Sequence, residues 1–212
     1  MNCADVRLDE YLDHELSDAE RDAVEAHLGS CAACRAELVL KFQGGEESAF
    51  ETLVRKYMKD AYSFCLRLTH DAQEAEELSQ MGFVNAYRAL RGFRGESSFK
   101  SWLYRIFINQ YRDRLRRTRR AEARLVVVRE EAQRRQASAV EESAMHATEL
   151  EEVVKRKSEA LPDRQREVLT LHLYQGLDYH EIASALGCTY DDVKMNLSLA
   201  RKRLKEELKG YL

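Results

Sequence analysis

The sequence has little glycine and almost no proline, with nine glycines and a single proline, Pro162, among 212 residues. Leu, Ala, Glu and Arg are abundant instead, and these residues favour helices. The composition therefore predicts an all-α chain with few tight turns.

Long apolar runs are also missing. Leu125–Val128 is an aliphatic run of only four residues, far from the roughly 20 that span a bilayer. The N-terminus is acidic and lacks an apolar signal core, so we expect a cytoplasmic protein without membrane contact. No nucleophile with a base, phosphate-binding glycine loop or carboxylate pair stands out, so we expect that the chain is not an enzyme.

Charge is nearly balanced overall, at a formal −3, but it is segregated along the chain. Residues 1–36 carry nine acidic and three basic side chains, whereas residues 112–124 carry seven arginines and two acidic residues. The acidic end and the basic middle can meet within one molecule, or each can meet its own partner.

Five cysteines in a reducing compartment favour metal or redox chemistry over a disulfide framework. Three of them and a histidine form a set near the N-terminus: Cys3, His27, Cys31 and Cys34. Three thiolates and one imidazole suit one Zn²⁺ ion, structural or regulatory. The alternative is that Cys3 lies on a frayed terminus and the others are incidental. Cys65 and Cys188 lie on apolar patterns and are expected to be small core residues.

Helical patterns surround this set. One covers Val6–Leu16, and the next begins after Ser17, whose spacing from Glu20 is that of a capping box. So small a unit has too little core to fold alone, so metal binding would supply much of its folding energy.

A serine-bearing loop and a long aromatic helix follow in residues 92–114. One face of the helix repeats polar and basic side chains at i, i+4, i+7 and i+11, namely Arg105, Asn109, Arg112 and Arg116. Arginine suits phosphate, asparagine suits base edges, and a flexible loop suits an unstacked base, so the pattern favours nucleic acid. The alternative is an ordinary solvated charged face.

Two family resemblances rest on these residues. His27-x3-Cys31-x2-Cys34 with an upstream cysteine resembles the zinc-containing domain of bacterial anti-sigma factors. From Gly44 to Arg117 the chain resembles region 2 of extracytoplasmic-function (ECF) sigma factors.

The second resemblance implies two sets of binding residues. Contact with RNA polymerase falls on Glu77, Gln80, Met81 and Asn85. Binding of the melted promoter −10 element falls on Arg94, Ser97, Ser98, Phe99, Trp102, Arg105, Asn109, Arg112 and Asp113. Met81 stands where an acidic residue is expected, and Gly82 within a helix should cost about 1 kcal/mol relative to alanine.

The C-terminal part resembles region 4 of the same family. A helix beginning near Pro162, a turn at Gly187-Cys188 and an N-cap at Thr189 predict a helix-turn-helix. Binding of the −35 duplex then falls on His172, Lys194, Asn196, Ser198 and Arg201. The second helix carries fewer basic residues than is usual, so weaker or altered −35 binding is expected.

The predicted architecture is all-α. It comprises a zinc-bound domain at 1–38, a four-helix region 2 domain at 39–120, a linker at 121–149 and a region 4 helix-turn-helix domain at 150–212. The region 2 patterns are Ser48–Met58, Asp60–Thr69, Ala72–Leu90 and Phe99–Arg120. The linker reads either as a partly helical tether or as a strand-like segment at Leu125–Val128.

The predicted function is that of an ECF sigma factor, which directs RNA polymerase core enzyme to promoter DNA and is regulated in cis by its zinc domain. In that mechanism the zinc domain packs on the sigma domains and masks polymerase or DNA surfaces. An alternative is a metal- or redox-sensing interaction protein whose sigma-like part docks partners without initiating transcription. A third, weaker reading is a plain helix-turn-helix regulator that binds duplex DNA as a dimer.

Overall fold

The computed structural model describes residues 2–132 and 160–208, with side chains for 2–121 and 160–206. Over these ranges the chain is helical and contains no strand, as the composition predicts. A 3₁₀ turn, Cys3–Asp5, precedes α1 (Leu8–Leu12), α2 (Asp18–Ser30), α3 (Ala32–Gln43), α4 (Glu47–Thr69), α5 (Ala72–Leu90), α6 (Phe99–Ala132), α7 (Asp163–Leu173), α8 (Tyr179–Leu186) and α9 (Tyr190–Leu208). None of these helices is both long and apolar enough to cross a membrane.

The N-terminal module consists of the 3₁₀ turn, α1, α2 and α3. The expected single helix over Val6–Leu16 is wrong, because α1 ends at Leu12 and His14 adopts a left-handed φ of 60°. The capping box of α2 is confirmed: the Ser17 backbone N–H and hydroxyl both donate to the Glu20 carboxylate, at 3.0 and 2.6 Å.

Helix α3 joins the N-terminal module to the next one without a break. At its end Phe42 is buried and packs against Phe50 and Tyr87, with ring centroids 5.4 and 5.3 Å apart. The Lys41 ammonium forms an ion pair with Asp9 ahead of it in the N-terminal module. The helix therefore belongs to two cores at once, and its 12 residues cross the expected boundary at residue 38.

The central module consists of α4, α5 and α6 up to residue 121. Two short helices were expected before Thr69, but α4 is one helix of 23 residues. Tyr57, Ala61 and Phe64 are all buried, and their i, i+4, i+7 spacing gives one continuous apolar face. Asp60, where a second helix was expected to begin, lies on the exposed side of the same helix.

Gly82 has a packing role in α5. A Cβ at this position would lie 1.9 Å from a ring carbon of Phe107, a fully buried residue of α6. The missing side chain therefore lets α5 and α6 approach closely, which offsets the cost of a glycine within a helix.

Helix α6 continues past the expected end at Arg120 and reaches Ala132. The strand-like interpretation of Leu125–Val128 is wrong, because α6 includes these residues. The remainder of the predicted linker, residues 133–149, lies outside the described residues.

The C-terminal module consists of α7, α8 and α9. The predicted helix-turn-helix is confirmed: Gly187 ends α8 with a left-handed φ of 62°, and Thr189 Oγ1 accepts from the Asp192 backbone N–H at 3.1 Å. This module packs against α4 and α6 of the central module. That packing determines which parts of α6 are accessible.

Candidate nucleic-acid interface and metal centre

The four candidate zinc ligands meet at the junction of the 3₁₀ turn, α2 and α3. Their ligand atoms all lie within 4.8 Å of one another. Cys3 Sγ lies 3.4 Å from Cys31 Sγ and 3.8 Å from His27 Nε2, and Cys34 Sγ lies 3.3 Å from the same nitrogen. Tetrahedral Zn²⁺ with bonds of about 2.0–2.3 Å places its ligand atoms roughly 3.3–3.8 Å apart. The donor set and its spacing therefore fit zinc.

Helix α3 supports this fit electrostatically. Cys31 is its N-cap, and a hydrogen bond from the backbone N–H of Cys34 is the main reason that the pKa of Cys31 falls to about 6. Burial raises the pKa of the Cys34 thiol. A bound cation would overcome that burial cost, because a zinc-bound cysteine is a thiolate. The other two cysteines lie elsewhere: Cys65 is fully buried and Cys188 is half-buried.

The candidate polymerase surface lies on α5. Glu77, Gln80 and Met81 are exposed, and Asn85 is half-buried. Arg114 of α6 donates to Glu77 at 2.9 Å and lies 3.0 Å from Glu74, so the acidic edge of this surface is held in place. The N-terminal module does not cover the exposed residues.

The candidate −10 surface begins at the loop of residues 92–98, which we call the base-receiving loop. A polar cavity of about 370 Å³ opens beside it, lined by Gly92, Phe93, Arg94, Glu96, Ser97, Trp102, Arg105 and Ser184. Phe93 and Phe99 pack on Trp102 with centroids 5.1 and 5.6 Å away. Four predicted −10 residues thus line one cavity, Phe99 supports it, and Ser184 of the C-terminal module forms part of its wall.

The C-terminal module binds the base-receiving loop and the start of α6 through side-chain and backbone groups of α8. Ser98 donates to the Glu181 carboxylate at 2.9 Å, and Ser101 lies 3.4 Å from it. Arg105 donates to the backbone oxygen and the hydroxyl of Ser184, at 2.5 and 3.0 Å. Two side chains expected to face DNA are therefore bound to protein.

A third contact lies further along α6. Arg112 donates through Nε and a terminal nitrogen to the two carboxylate oxygens of Glu167, at 2.8 and 2.5 Å. The Glu167 side chain is 2 % exposed and that of Arg112 27 %. This bidentate hydrogen bonding raises the pKa of Arg112. Arginine binds carboxylates and phosphates in the same bidentate geometry, and in this structure the fork of Arg112 is occupied by a carboxylate.

The remaining predicted −10 residues are not bound to the C-terminal module. Asn109 and Arg94 are exposed. Asp113 forms an ion pair within α6 with Arg116. Within the candidate −10 surface, the C-terminal module therefore binds Ser98, Arg105 and Arg112 and leaves Arg94 and Asn109 without a contact to it.

The predicted −35 residues lie mostly on α9 and are accessible. Lys194, Ser198 and Arg201 are exposed, whereas Asn196 donates to the Asp192 backbone oxygen at 2.8 Å. His172 lies on α7, where its Nδ1 is 3.2 Å from the Leu177 backbone oxygen. His172 thus supports the turn before α8, and the three exposed residues form the free surface.

Sequence reasoning missed the residues that bind the C-terminal module to α6. Tyr104 donates to the Gln175 side chain at 2.5 Å, and Lys100 donates to the Gln175 backbone oxygen. Burial lowers the pKa of Lys100. Arg166 donates to the Tyr111 hydroxyl at 3.0 Å. These partners are more than 50 residues apart in sequence, and no local spacing marks them.

Three family models match the chain in order. The family described as "Putative zinc-finger" matches residues 4–35, Sigma-70 region 2 matches residues 53–121, and Sigma-70, region 4 matches residues 152–204.

Curated relatives give the same picture. The chain is 35% identical to the RNA polymerase sigma-H factor of Pseudomonas aeruginosa over 182 residues, which cover 83% of the chain and 94% of that protein. It is 32% identical to the ECF RNA polymerase sigma-E factor of Escherichia coli K12 over 181 residues, 82% of the chain and 94% of that protein.

Two solved structures resemble the fold, each with a TM-score of 0.60. One is the sigma factor RpoE in complex with the anti-sigma factor NepR from Bartonella quintana, at 27% identity over 76% of this chain and 96% of that one. The other is CnrH in complex with the cytosolic domain of CnrY, at 25% identity over 82% of this chain and 96% of that one.

Proposed function

The chain belongs to the ECF sigma factors of the sigma-70 family, and on that premise we propose that its own modules control access to its promoter-binding surface. As a sigma factor it directs RNA polymerase to promoters and is an initiation factor rather than an enzyme. In the proposed resting state the C-terminal module lies on the −10 surface. Initiation then requires that this module leave α6.

The observation that supports this proposal is that the C-terminal module binds three of the side chains that are assigned to −10 DNA. Ser98, Arg105 and Arg112 are three of the nine residues assigned to −10 DNA, and all three are bound to the C-terminal module. One side chain cannot bind a carboxylate and a phosphate in the same geometry at once. Promoter DNA and the C-terminal module therefore compete for α6, and a partner that favours the open state promotes DNA binding.

Binding to core polymerase remains available in this closed state. Glu77, Gln80 and Met81 are already exposed on α5, so the C-terminal module need not leave α6 before polymerase can contact them. On α9, Lys194 and Arg201 are likewise exposed for the −35 duplex. We assign polymerase binding to the first set and phosphate contacts to the second.

The N-terminal module is assigned one zinc ion held by its four clustered ligands. The zinc would supply structural cross-linking, because it ties the 3₁₀ turn and the end of α2 to the start of α3. We place regulation in cis in this module through α3, which enters the central core directly. It acts by supporting the central module rather than by covering the polymerase surface.

Run-off transcription with core polymerase tests the proposal. The template is a pool of promoter fragments with a randomised −10 element, and the chain is supplied with zinc or after chelation. We expect chain-dependent transcripts from a defined subset of templates and a change in their yield on metal removal. Core binding without any transcript would favour the docking protein instead, and equal transcription with and without zinc would rule out regulation in cis by the metal.

Metal removal is a better test of the N-terminal module than truncation to residues 37–212. Such a truncation cuts α3, which spans Ala32–Gln43, and exposes the buried Leu38. A Cys34→Ser variant leaves α3 at full length. Its matched control is Cys65→Ser, since Cys65 lies in the central core away from the ligand cluster.

A further inference from the structure

The base-receiving loop is connected to the end of α5 by a turn at residues 90–93. The side chain of Gln43, which belongs to α3, binds the backbone of this turn. The Gln43 side-chain amide donates to the backbone oxygens of Leu90 and Phe93, at 3.0 and 2.8 Å. Its NH₂ group therefore joins both sides of the turn. The Phe93 backbone N–H also donates to the Leu90 oxygen, at 3.1 Å, so this carbonyl accepts two hydrogen bonds.

The direction of the loop follows from this turn. Phe93 is the first residue beyond it, and its ring packs on Trp102 and Phe99. Gln43 fixes the backbone of Phe93 and the two aromatic rings fix its side chain. The next residues include Arg94, Glu96 and Ser97, which line the polar cavity.

The other end of this connection is the metal site. Gln43 is the last residue of α3, and Cys34 lies in the first turn of the same helix. They are nine positions apart in the helix, about 13 Å along its axis. Arg35 donates to the Leu28 backbone oxygen at 2.6 Å and so ties the start of α3 to the end of α2.

A cavity of about 700 Å³ separates α3 from the loop along this length. Ala32, Ala36 and Val39 form its helix side, and residues 93–100 form the opposite side. The loop thus depends on Gln43 for its hydrogen bonds to α3, and the helix can affect the loop through that residue.

We propose that Gln43 is a positioning residue for the base-receiving loop. Through Gln43, helix α3, which begins at the metal site, sets the geometry of −10 recognition. The inference rests on the proposed function, since it concerns the same −10 surface. Without the two hydrogen bonds the turn has more than one conformation, and the cavity loses the fixed shape that distinguishes one base from another.

The test uses the full chain with core polymerase on premelted promoter fragments that carry each of the four bases at the flipped position. Wild type is expected to prefer one base. Gln43→Leu, which removes both donors, is expected to weaken that preference about tenfold, with core affinity within about twofold of wild type. Gln73→Leu is the matched control, because Gln73 is exposed in the first turn of α5.

The outcomes separate the inference from the proposed function. An unchanged base preference in Gln43→Leu overturns the inference and leaves the sigma activity intact. If Gln43→Leu does not fold, Gln43→Glu is measured, which keeps the length of the side chain but cannot donate to a carbonyl when ionised. If both variants lose core binding as well as base preference, Gln43 has a general structural role, and this result also overturns the inference. A wild-type chain without any base preference contradicts the proposed −10 recognition itself.

Discussion

Replacing Glu167 with glutamine is expected to release the C-terminal module from α6. Glu167 is buried and binds Arg112 bidentately, and Arg164 lies 3.4 Å away. Glutamine keeps the size of the side chain and removes its charge. The closed state then loses an ion pair that the open state does not make.

The magnitude follows from the burial of the pair. Breaking a fully buried ion pair by changing one partner costs about 3–5 kcal/mol, but the Arg112 side chain here is 27 % exposed. Glutamine also costs less to bury than a carboxylate and still accepts one hydrogen bond. We therefore expect a loss of about 2 kcal/mol, or roughly a thirtyfold shift towards the open state.

Two measurements on the free chain report this shift. Small-angle X-ray scattering is expected to show a larger radius of gyration for Glu167→Gln. Fluorescence anisotropy with a labelled non-template −10 oligonucleotide is expected to show tighter binding by roughly tenfold or more, because Arg112 becomes free for phosphate. Asp18→Asn is the matched control, since Asp18 pairs with Arg21 on the surface of α2 and loses the same charge.

The same scattering and the same oligonucleotide affinity for Glu167→Gln and Asp18→Asn would show that the Arg112–Glu167 pair does not hold the C-terminal module on α6. A gain in affinity without expansion would show that the net charge acts, rather than the release of α6. Urea unfolding of both variants provides the check on stability.

Two further predictions concern packing and metal. Gly82→Ala is expected to destabilise the chain by about 2 kcal/mol or more in urea unfolding, because its Cβ would meet the Phe107 ring. The control, Gly29→Ala, should be neutral or stabilising, because its Cβ would meet only the end of a lysine side chain at 3.5 Å. Equal stability of both variants would contradict the packing argument. Metal analysis is expected to find one zinc per chain, which is lost in Cys34→Ser and retained in Cys65→Ser. The zinc affinity is expected to fall as the pH is lowered, because the ligand thiols must be deprotonated. Zinc retained by Cys34→Ser would show that Cys34 is not a ligand.

The features that sequence predicted correctly depend on short spacings. Ser17 and Glu20 are three residues apart, as are Thr189 and Asp192, and each pair caps a helix in the structure. The cysteines at 31 and 34 share one turn, and the family resemblance supplied the modules around them. Local stereochemistry is sufficient for such features.

The features that sequence did not predict depend on distant partners. Gly82 looked unfavourable in α5 because the ring of Phe107, 25 positions later, could not be placed beside it. Arg112 and Glu167 are 55 residues apart, and nothing near Glu167 in sequence marks it as a buried partner. The contacts between the C-terminal module and the candidate −10 surface therefore have no local signal, whereas the arginine and asparagine spacing alone predicts the surface itself.

The central claim is that the α6 face with its base-receiving loop reads the opened −10 element. Run-off transcription with mapping of transcript 5′ ends, using the full-length Arg105→Gln/Asn109→Ala variant with core polymerase, tests it most directly. We predict that initiation at the wild-type start site is lost or scattered while core binding persists, because α5 is unchanged. Unchanged start-site selection by this variant would contradict the account.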